Sequence, residues 1–357
     1  MSSKSKMRFA VIGCGGISRF HFNGLAKAGA RIARAVDIRP DAAQPWVDRF
    51  GAKYSSDYRE AIDDDEIDAV AVTSPSRLHR EIAVAALKAG KAVIVEKTLT
   101  DNPRDSLKIV EAVRETGGLC FTAYMKRFFP ALQKAKELLP GLGQLISVHA
   151  RSWQPWGNVW TAPLPPSDGK PSFVVANYGG GMLVCGGSHI LDLVMWLVGR
   201  PVKLWANQYT RQGLDHDFRH TALMTLPDSG QAAGAAVSFE ACAHPFKTVG
   251  YEKNGWDERL EINGVNGRLD IATVTWNEPE KAPALLVHTD NTTGQATDYR
   301  FFAANPFDLE MAYFVDCIRK RKQGYPSAVD GYAVDELIAC ITRSARTAKV
   351  IDVPFKA

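Results

Sequence analysis

Short apolar runs recur through the first third of the chain, and each hands over to a stretch with helical spacing. Residues 7–12 (MRFAVI), 31–37 (RIARAVD), 69–73 (AVAVT) and 92–98 (AVIVEKT) read as strands. Between them, the segment up to residue 28 and residues 41–50 and 78–89 repeat apolar positions three and four apart, as amphipathic helices do. Strands alternating with helices at this spacing predict a parallel sheet covered by helices on both faces. In such a sheet ligands bind beyond the carboxyl ends of the strands.

From 204 to 271 the pattern changes to short β-type runs (LWANQYT, HTALMTL, AAGAAVSF, RLEINGV, GRLDI), which predict an antiparallel sheet. Residues 150–178, rich in Trp, Pro and Gly, read as one long loop, and loops of that length are commonly functional. Residues 306–323 place Phe307, Met311, Phe314, Val315 and Ile318 on one side of a helix. With 357 residues, two domains are expected, one over 1–123 and the other over 124–357.

Charge and composition narrow the partners. The 43 basic and 39 acidic residues are interspersed and form no basic arm, which argues against nucleic acid. No uninterrupted run of 18 apolar residues suggests a membrane span, and the N-terminal apolar run is too short for a signal peptide. The six cysteines are far apart with no C-x-x-C pair, so neither a zinc site nor a disulfide framework is expected; the setting is read as reduced and cytoplasmic.

Chemistry enters at the first strand's end. The turn GCGGIS offers Gly13, Cys14, Gly15, Gly16 and Ile17 to a cofactor: Gly13 for the tight turn, Gly15 for close approach of a pyrophosphate, and the following helix N-terminus for its charge. Ser18 stands where a third glycine or alanine is usual, a small change. Asp37, about 20–25 residues on, is placed to accept from a ribose diol and to repel a 2'-phosphate, so NAD is expected. Arg39 keeps NADP open, because a guanidinium there could pair with that phosphate. Ser74, Pro75, His79, Glu96 and Lys97 lie at other strand ends and are candidates for the same cleft.

The stretch GGGMLVCGGSHILDLVMWLVG, residues 179–199, holds a thiol, an imidazole and a carboxylate within an apolar run. Wound at 100° per residue, Cys185, Ser188, His189, Asp192 and Trp196 share one face, opposite an apolar face. Imidazole suits proton exchange near neutral pH, and a carboxylate three residues away can orient it or bind a hydroxyl. Lys97 can donate to a substrate oxygen. Arg127, Trp153, Trp156 and Asn177 are further candidates for contacting a sugar, the indoles through their flat faces.

Several segments together resemble the Gfo/Idh/MocA family of oxidoreductases: VIGCGGIS, SPSRLHREIAVAALKAGKAVIVEKT, YMKRFFPALQKAKEL, GGGMLVCGGSHILDLVMWLVG, LEINGVNGRLDI and VDELIACITRSARTAKVIDVPF. The resemblance implies an α/β protein with an N-terminal Rossmann parallel sheet and a C-terminal α/β domain built on a large, mostly antiparallel sheet. It implies catalysis by the lysine of a Glu-Lys-Pro motif and the histidine of an Asp-x-x-x-His-x-x-Asp helix, positions that match Lys97 and His189, with Asp192 last. It also implies a homodimer or homotetramer and a small carbohydrate substrate.

Two departures stand out. Thr98 replaces the motif's proline, so Lys97 is expected to sit slightly differently. Cys185 replaces the first aspartate, removing a carboxylate that commonly binds a substrate hydroxyl. The function expected is hydride transfer between a secondary hydroxyl of a sugar, sugar derivative or glycoside and a nicotinamide, without a metal. Two alternatives are a redox-assisted glycoside cleavage that retains NAD, and a non-catalytic regulatory protein that binds dinucleotide and sugar.

Overall fold

A computed structural model describes residues 6–164 and 169–356, which fall into two compact units. The first comprises the chain up to Met125 together with Phe307–Asp335. Its strands and helices alternate: β1 (Arg8–Ile12), α1 (Ser18–Lys27), β2 (Arg31–Val36), α2 (Pro40–Phe50), β3 (Lys53–Ser55), α3 (Tyr58–Ile62), β4 (Ala69–Val72), α4 (His79–Lys88), β5 (Ala92–Glu96), α5 (Pro103–Thr116) and β6 (Cys120–Ala123). The six strands pair in parallel in the order β3-β2-β1-β4-β5-β6. Every residue of β4 and β5 is buried, as expected of strands covered on both faces.

Local chemistry sets the helix ends. In α5, Asn102 caps the first turn by accepting from the Asp105 N–H at 3.0 Å, Pro103 follows it, and Gly117 leaves the helix at φ 63°. The strand order reverses between β1 and β4, so the crevice for a ligand opens where those two strands end.

The sequence-based division assigns 307–335 to the second domain, whereas the segment belongs to the first unit. The reason lies in the apolar stripe of its helix. Phe307 stacks on Phe20 of α1 with ring centroids 4.0 Å apart, and Phe314 lies 4.7 Å from Phe121 of β6. Met311 fills the space left by Gly24, where a Cβ would come within 2.7 Å of it.

The second unit comprises Lys126–Pro306 and Glu336–Lys356. Its elements are α6 (Pro130–Leu138), β7 (Leu145–Pro155), α7 (Phe173–Tyr178), α8 (Ser188–Val198), β8 (Lys203–Tyr209), β9 (Arg219–Thr225), β10 (Ala236–His244), β11 (Asp257–Gly264), β12 (Gly267–Thr273), β13 (Leu285–Asp290), β14 (Gln295–Tyr299) and β15 (Ile351–Asp352). The last two helices are α9 (Pro306–Arg319) and α10 (Ala328–Thr347); the boundary between units falls within α10. Nine strands form one sheet, ordered β14-β13-β12-β11-β7-β10-β9-β8-β15, in which only β7 and β10 run parallel.

One face of this sheet packs against α8 and the turn before it: a Cβ on Gly187 would meet Ala241 at 3.1 Å and Phe239 at 3.2 Å. On the other face the side chains alternate outward, with Trp205 39% and Leu223 57% exposed on adjacent paired positions. Residues 173–198 are long and apolar enough to cross a membrane by length and composition, yet 72% of the apolar 18-residue window within them is buried in the protein.

The expected loop over 150–178 is shorter than the sequence suggests. Strand β7 continues through Pro155, and α7 occupies Phe173–Tyr178. Composition misleads here because Arg151, Trp153 and Pro155 lie along a strand whose alternate residues Ser152 and Gln154 are buried.

Candidate functional site

In the first unit, β1 ends in a turn built for close approach. Gly13 sits at φ 98°, and a Cβ there would lie 2.6 Å from the Ser74 backbone nitrogen at the end of β4. The Thr73 hydroxyl donates to the Gly13 carbonyl at 2.5 Å, joining the two strand ends. Above Gly15 and Gly16 a Cβ would meet nothing within 4 Å. Helix α1 then starts with no side-chain cap and no acidic residue in its first turn, which leaves its positive end for an anion.

Asp37 follows β2 and is tied to the turn: it accepts from the Cys14 N–H at 2.8 Å and from the Arg39 N–H at 2.9 Å. Two of a carboxylate's roughly four acceptor positions are thus used, leaving capacity for a ribose diol. The Arg39 guanidinium stands 3.7 Å from the same carboxylate and is 62% exposed. Cys14 is buried, and burial followed by the charge of Asp37 pushes its thiol up to about 12, so it stays protonated and unreactive. A glycine turn, an uncapped helix start and a carboxylate at the next strand end fit an NAD molecule.

Lys97, half-buried, leaves the end of β5, and the Lys97–Thr98 peptide is cis although threonine follows. Glu96 is buried; it accepts from the Lys97 N–H at 2.9 Å and faces His21 Nε2 at 2.9 Å. Ser74 and Pro75 stay partly exposed beside the glycine turn. His79 does not. It is 1% exposed, with Nε2 2.7 Å from the Ser74 carbonyl and Nδ1 3.0 and 3.2 Å from the carbonyls of Thr98 and Leu99. Burial lowers its pKa, while the three carbonyls that the ring faces favour its protonated form and oppose that shift. The ring braces backbone rather than offering itself to a cofactor, which corrects the expectation.

Beyond Lys97, the Asp335 carboxylate accepts from the Thr100 N–H at 2.9 Å and from the Ser106 hydroxyl at 2.6 Å. Burial pushes this carboxyl up to about 7, Asp101 adds a like charge, and the hydroxyl and amide oppose both. An unfolded aspartate titrates near 3.9. Between about pH 4 and pH 7 the unfolded chain therefore gives up this proton while the folded chain keeps it, so stability falls as pH rises through that window and levels off above it. The expected loss is on the order of a few kcal/mol. Urea unfolding midpoints at pH 5 and pH 8 check it: Asp335→Asn should flatten the difference, and an unchanged difference would exclude Asp335 as its source.

In the second unit, His189 lies on α8 just after a π turn, Leu183–Gly187, with Cys185 at its centre. The extra residue in that turn breaks the 100° winding, so Cys185 is out of phase with the positions beyond it. Cys185 and His189 are both half-exposed, among buried neighbours Gly186, Gly187 and Ser188. The Cys185 thiol lies 3.6 Å from the Gly180 carbonyl.

Asp192 departs from expectation. It is fully buried and bonded on both oxygens by Arg127, Nε at 2.9 Å and the terminal nitrogen at 2.5 Å, and Arg127 is only 2% exposed. The pair ties α8 to the chain at Arg127 and leaves both groups almost without exposed surface. Trp196 lies beneath the Arg127 guanidinium, 5.6 Å from ring centre to carbon.

Two further groups hold the helix, and sequence reasoning missed both. Asp217 accepts from the Leu183 N–H at 2.9 Å and from His220 Nδ1 at 3.1 Å, and its carbonyl accepts from the Met182 N–H at 3.1 Å. Burial raises its pKa, but the bond and charge of His220 and the Leu183 amide outweigh that and hold it below the usual range. At the other end, Lys136 donates to the carbonyls of Trp196 and Leu197. A carboxylate at the start and an ammonium at the end match the helix dipole. The spacing D-F-R-H over 217–220, which runs into the start of β9, was the available signal for the first.

The indoles divide. Trp156 donates from Nε1 to Gln154 at 3.2 Å, and Gln154 lies where a Cβ on Gly186 would meet it at 2.5 Å, so Trp156 is tied to the π turn. Trp153 projects from the opposite face of β7, where it donates to Glu240 at 3.2 Å and lies 5.7 Å from the His244 ring. It is therefore separated from Cys185 by the sheet, another correction. Asn177, in α7, turns its amide to the Phe173 carbonyl at 2.9 Å. Beneath the π turn lies an unanticipated buried cluster: Glu258 accepts from Ser152 and Thr273 at 2.7 Å and from Gln154 at 3.2 Å, and pairs with Lys126. Among the described residues no group of three or more His, Cys, Asp or Glu gathers as a metal site would need.

Comparison with known proteins agrees with this geometry. Residues 7–124 match the model of an oxidoreductase family with an NAD-binding Rossmann fold, and residues 132–270 match the GFO/IDH/MocA C-terminal domain. Inositol 2-dehydrogenase 2 of Saccharopolyspora erythraea is 31% identical over 280 residues, 75% of each chain. The scyllo-inositol 2-dehydrogenase (NAD(+)) of Bacillus subtilis is 25% identical over 361 residues, 98% of this chain and 97% of its own. In fold, the chain is similar to levoglucosan dehydrogenase in complex with NADH and levoglucosan, with a TM-score of 0.83, 22% identity and coverage of 98% of this chain and 100% of that one. The chain belongs to the Gfo/Idh/MocA family of oxidoreductases, with its NAD-binding Rossmann fold in residues 7–124.

Proposed function

We propose that this protein is an NAD-dependent dehydrogenase that oxidises a secondary hydroxyl of a sugar, sugar derivative or other polyol. The observation that carries the reading is that two proton-handling side chains stay half-exposed among buried neighbours: Lys97 at the end of a strand in the NAD-binding unit, and His189 on the helix of the second. Gly13, Gly15, Gly16 and the start of α1 would hold the pyrophosphate, and Asp37 the adenosine ribose. Bound NAD would supply the hydride acceptor. Lys97 donates a hydrogen bond to the substrate oxygen, and His189 takes the hydroxyl proton at an imidazole nitrogen. In the reverse direction the imidazolium returns that proton.

Names of relatives favour a cyclic polyol or anhydrosugar: inositol 2-dehydrogenases among the sequences, levoglucosan dehydrogenase among the structures. Cys185, a thiol with weak hydrogen-bonding power, favours a substrate that presents fewer hydroxyls at that position. The test is absorbance at the NADH band with NAD, then NADP, over inositols, anhydrosugars, monosaccharides, sugar acids and glycosides. NADH formed with a particular polyol or sugar supports the reading. Silence across the panel sinks it, and glycoside cleavage by protein retaining NAD would replace it with redox-assisted bond cleavage.

A further inference from the structure

Lysine carries its amine on a flexible four-carbon stem, so the direction of that stem depends on how firmly the backbone beneath it is fixed. The backbone from Lys97 onward has left β5 and lacks ladder bonds. Buried side chains replace them one residue at a time. Glu96 takes the Lys97 amide, His79 faces the carbonyls of Thr98 and Leu99, and Asp335 takes the amide of Thr100. Thr98, Leu99 and Thr100 are themselves at most 3% exposed, so water does not stand in for these partners.

We propose that His79 and Asp335 are positioning residues, which hold the backbone of residues 98–100 and thereby set the direction of the Lys97 amine. The proposal rests on the reading of Lys97 as a group that meets the reacting oxygen. His79 arrives from the first turn of α4 and also faces the Ser74 carbonyl, so one ring stands between the loop after β5 and the end of β4. Asp335 arrives from α10.

The hydroxyls beneath Asp335 fix it in turn. Thr100 Oγ1 donates to the Asn102 carbonyl at 2.5 Å, and the Ser106 hydroxyl, 2.7 Å from Thr100 Oγ1, gives its one proton to Asp335 at 2.6 Å. A carboxyl buried away from a cationic partner is a costly way to fill space. What it supplies is an acceptor of fixed geometry for a buried amide. An apolar side chain of similar size would leave the Thr100 N–H unpaired and drive the loop toward another arrangement.

The test labels Lys97 directly. Pyridoxal 5'-phosphate followed by borohydride marks accessible amines, and peptide mass spectrometry gives the rate at Lys97, with the exposed Lys88 and Lys108 as internal references. In Asp335→Ala and in His79→Phe, which keeps ring bulk without a donor, the Lys97 rate should change at least about fivefold while both references stay constant. Asp335→Asn, which keeps an acceptor of the same shape, should stay within about twofold of the original. With the sugar or polyol that reduces NAD, Asp335→Ala should lower kcat about 10–100-fold at nearly constant KM, the scale of a displacement near 1 Å. Equal Lys97 labelling in all four proteins overturns the positioning role, whether or not the dehydrogenase reading stands. Normal turnover by Lys97→Ala would overturn that reading while leaving the labelling result intact. Should Asp335→Ala fail to fold, His79→Phe tests the same positioning from the carbonyl side.

Discussion

His189→Ala is expected to lower kcat for polyol oxidation by about 10²–10⁴-fold, the usual contribution of a positioned general base. KM should move little, because the imidazole is engaged in the proton transfer and the remaining site is intact. The pH dependence carries the sign. Oxidation needs the neutral ring as base, so its rate should rise with pH. Reduction of the corresponding ketone needs the imidazolium, so its rate should fall as pH rises. In His189→Ala both limbs should vanish while thermal stability stays close to that of the original, since the ring is half-exposed and off the apolar face of α8. A variant that retains the acidic limb of the oxidation profile would assign the proton to another group.

Much of the first unit is legible in the sequence because its information is local. Alternation of short apolar runs with helical spacing has one compact solution, and the glycine turn, helix start and Asp37 lie within 25 residues of each other. The outer reach of that unit is not legible. Whether the stripe Phe307, Met311, Phe314 is core can be read from its spacing, but what it packs against cannot, and its partner Phe20 lies nearly three hundred residues away.

The second unit shows a different failure. A constant 100° step does not describe its helix, because the π turn at Leu183–Gly187 invalidates that step at Cys185. No residue type announces a π turn. Asp192 looks chemical in the sequence because a carboxylate in an apolar helix needs a partner. The partner is Arg127, 65 positions earlier, and it arrives as a buried guanidinium instead of a substrate hydroxyl. Trp153 falls on the wrong side of the sheet when its composition makes the strand look like a loop; once β7 is extended to Pro155, alternation alone puts Gln154 toward the helix and Trp153 away from it.

That buried pair sets the largest expected loss of stability. Removing one partner, as in Asp192→Leu or Arg127→Met, strands the other charge where the protein leaves it at most 2% exposed, a cost of about 3–5 kcal/mol. For an ordered region of this size that corresponds to a fall of roughly 10 °C in the thermal midpoint. Replacing both residues together should behave quite differently. Leucine at 192 and methionine at 127 would fill similar volume, remove both desolvation costs, and let the methionine thioether lie on Trp196. The double variant should therefore recover most of the midpoint, with a coupling of a few kcal/mol between the sites. Activity separates bracing from contact with substrate. If the pair only holds α8, the double variant should keep KM near normal, and kcat should drop only as far as His189 is displaced. A KM raised about 100-fold in a double variant of normal stability would instead return Asp192 or Arg127 to the substrate's surroundings.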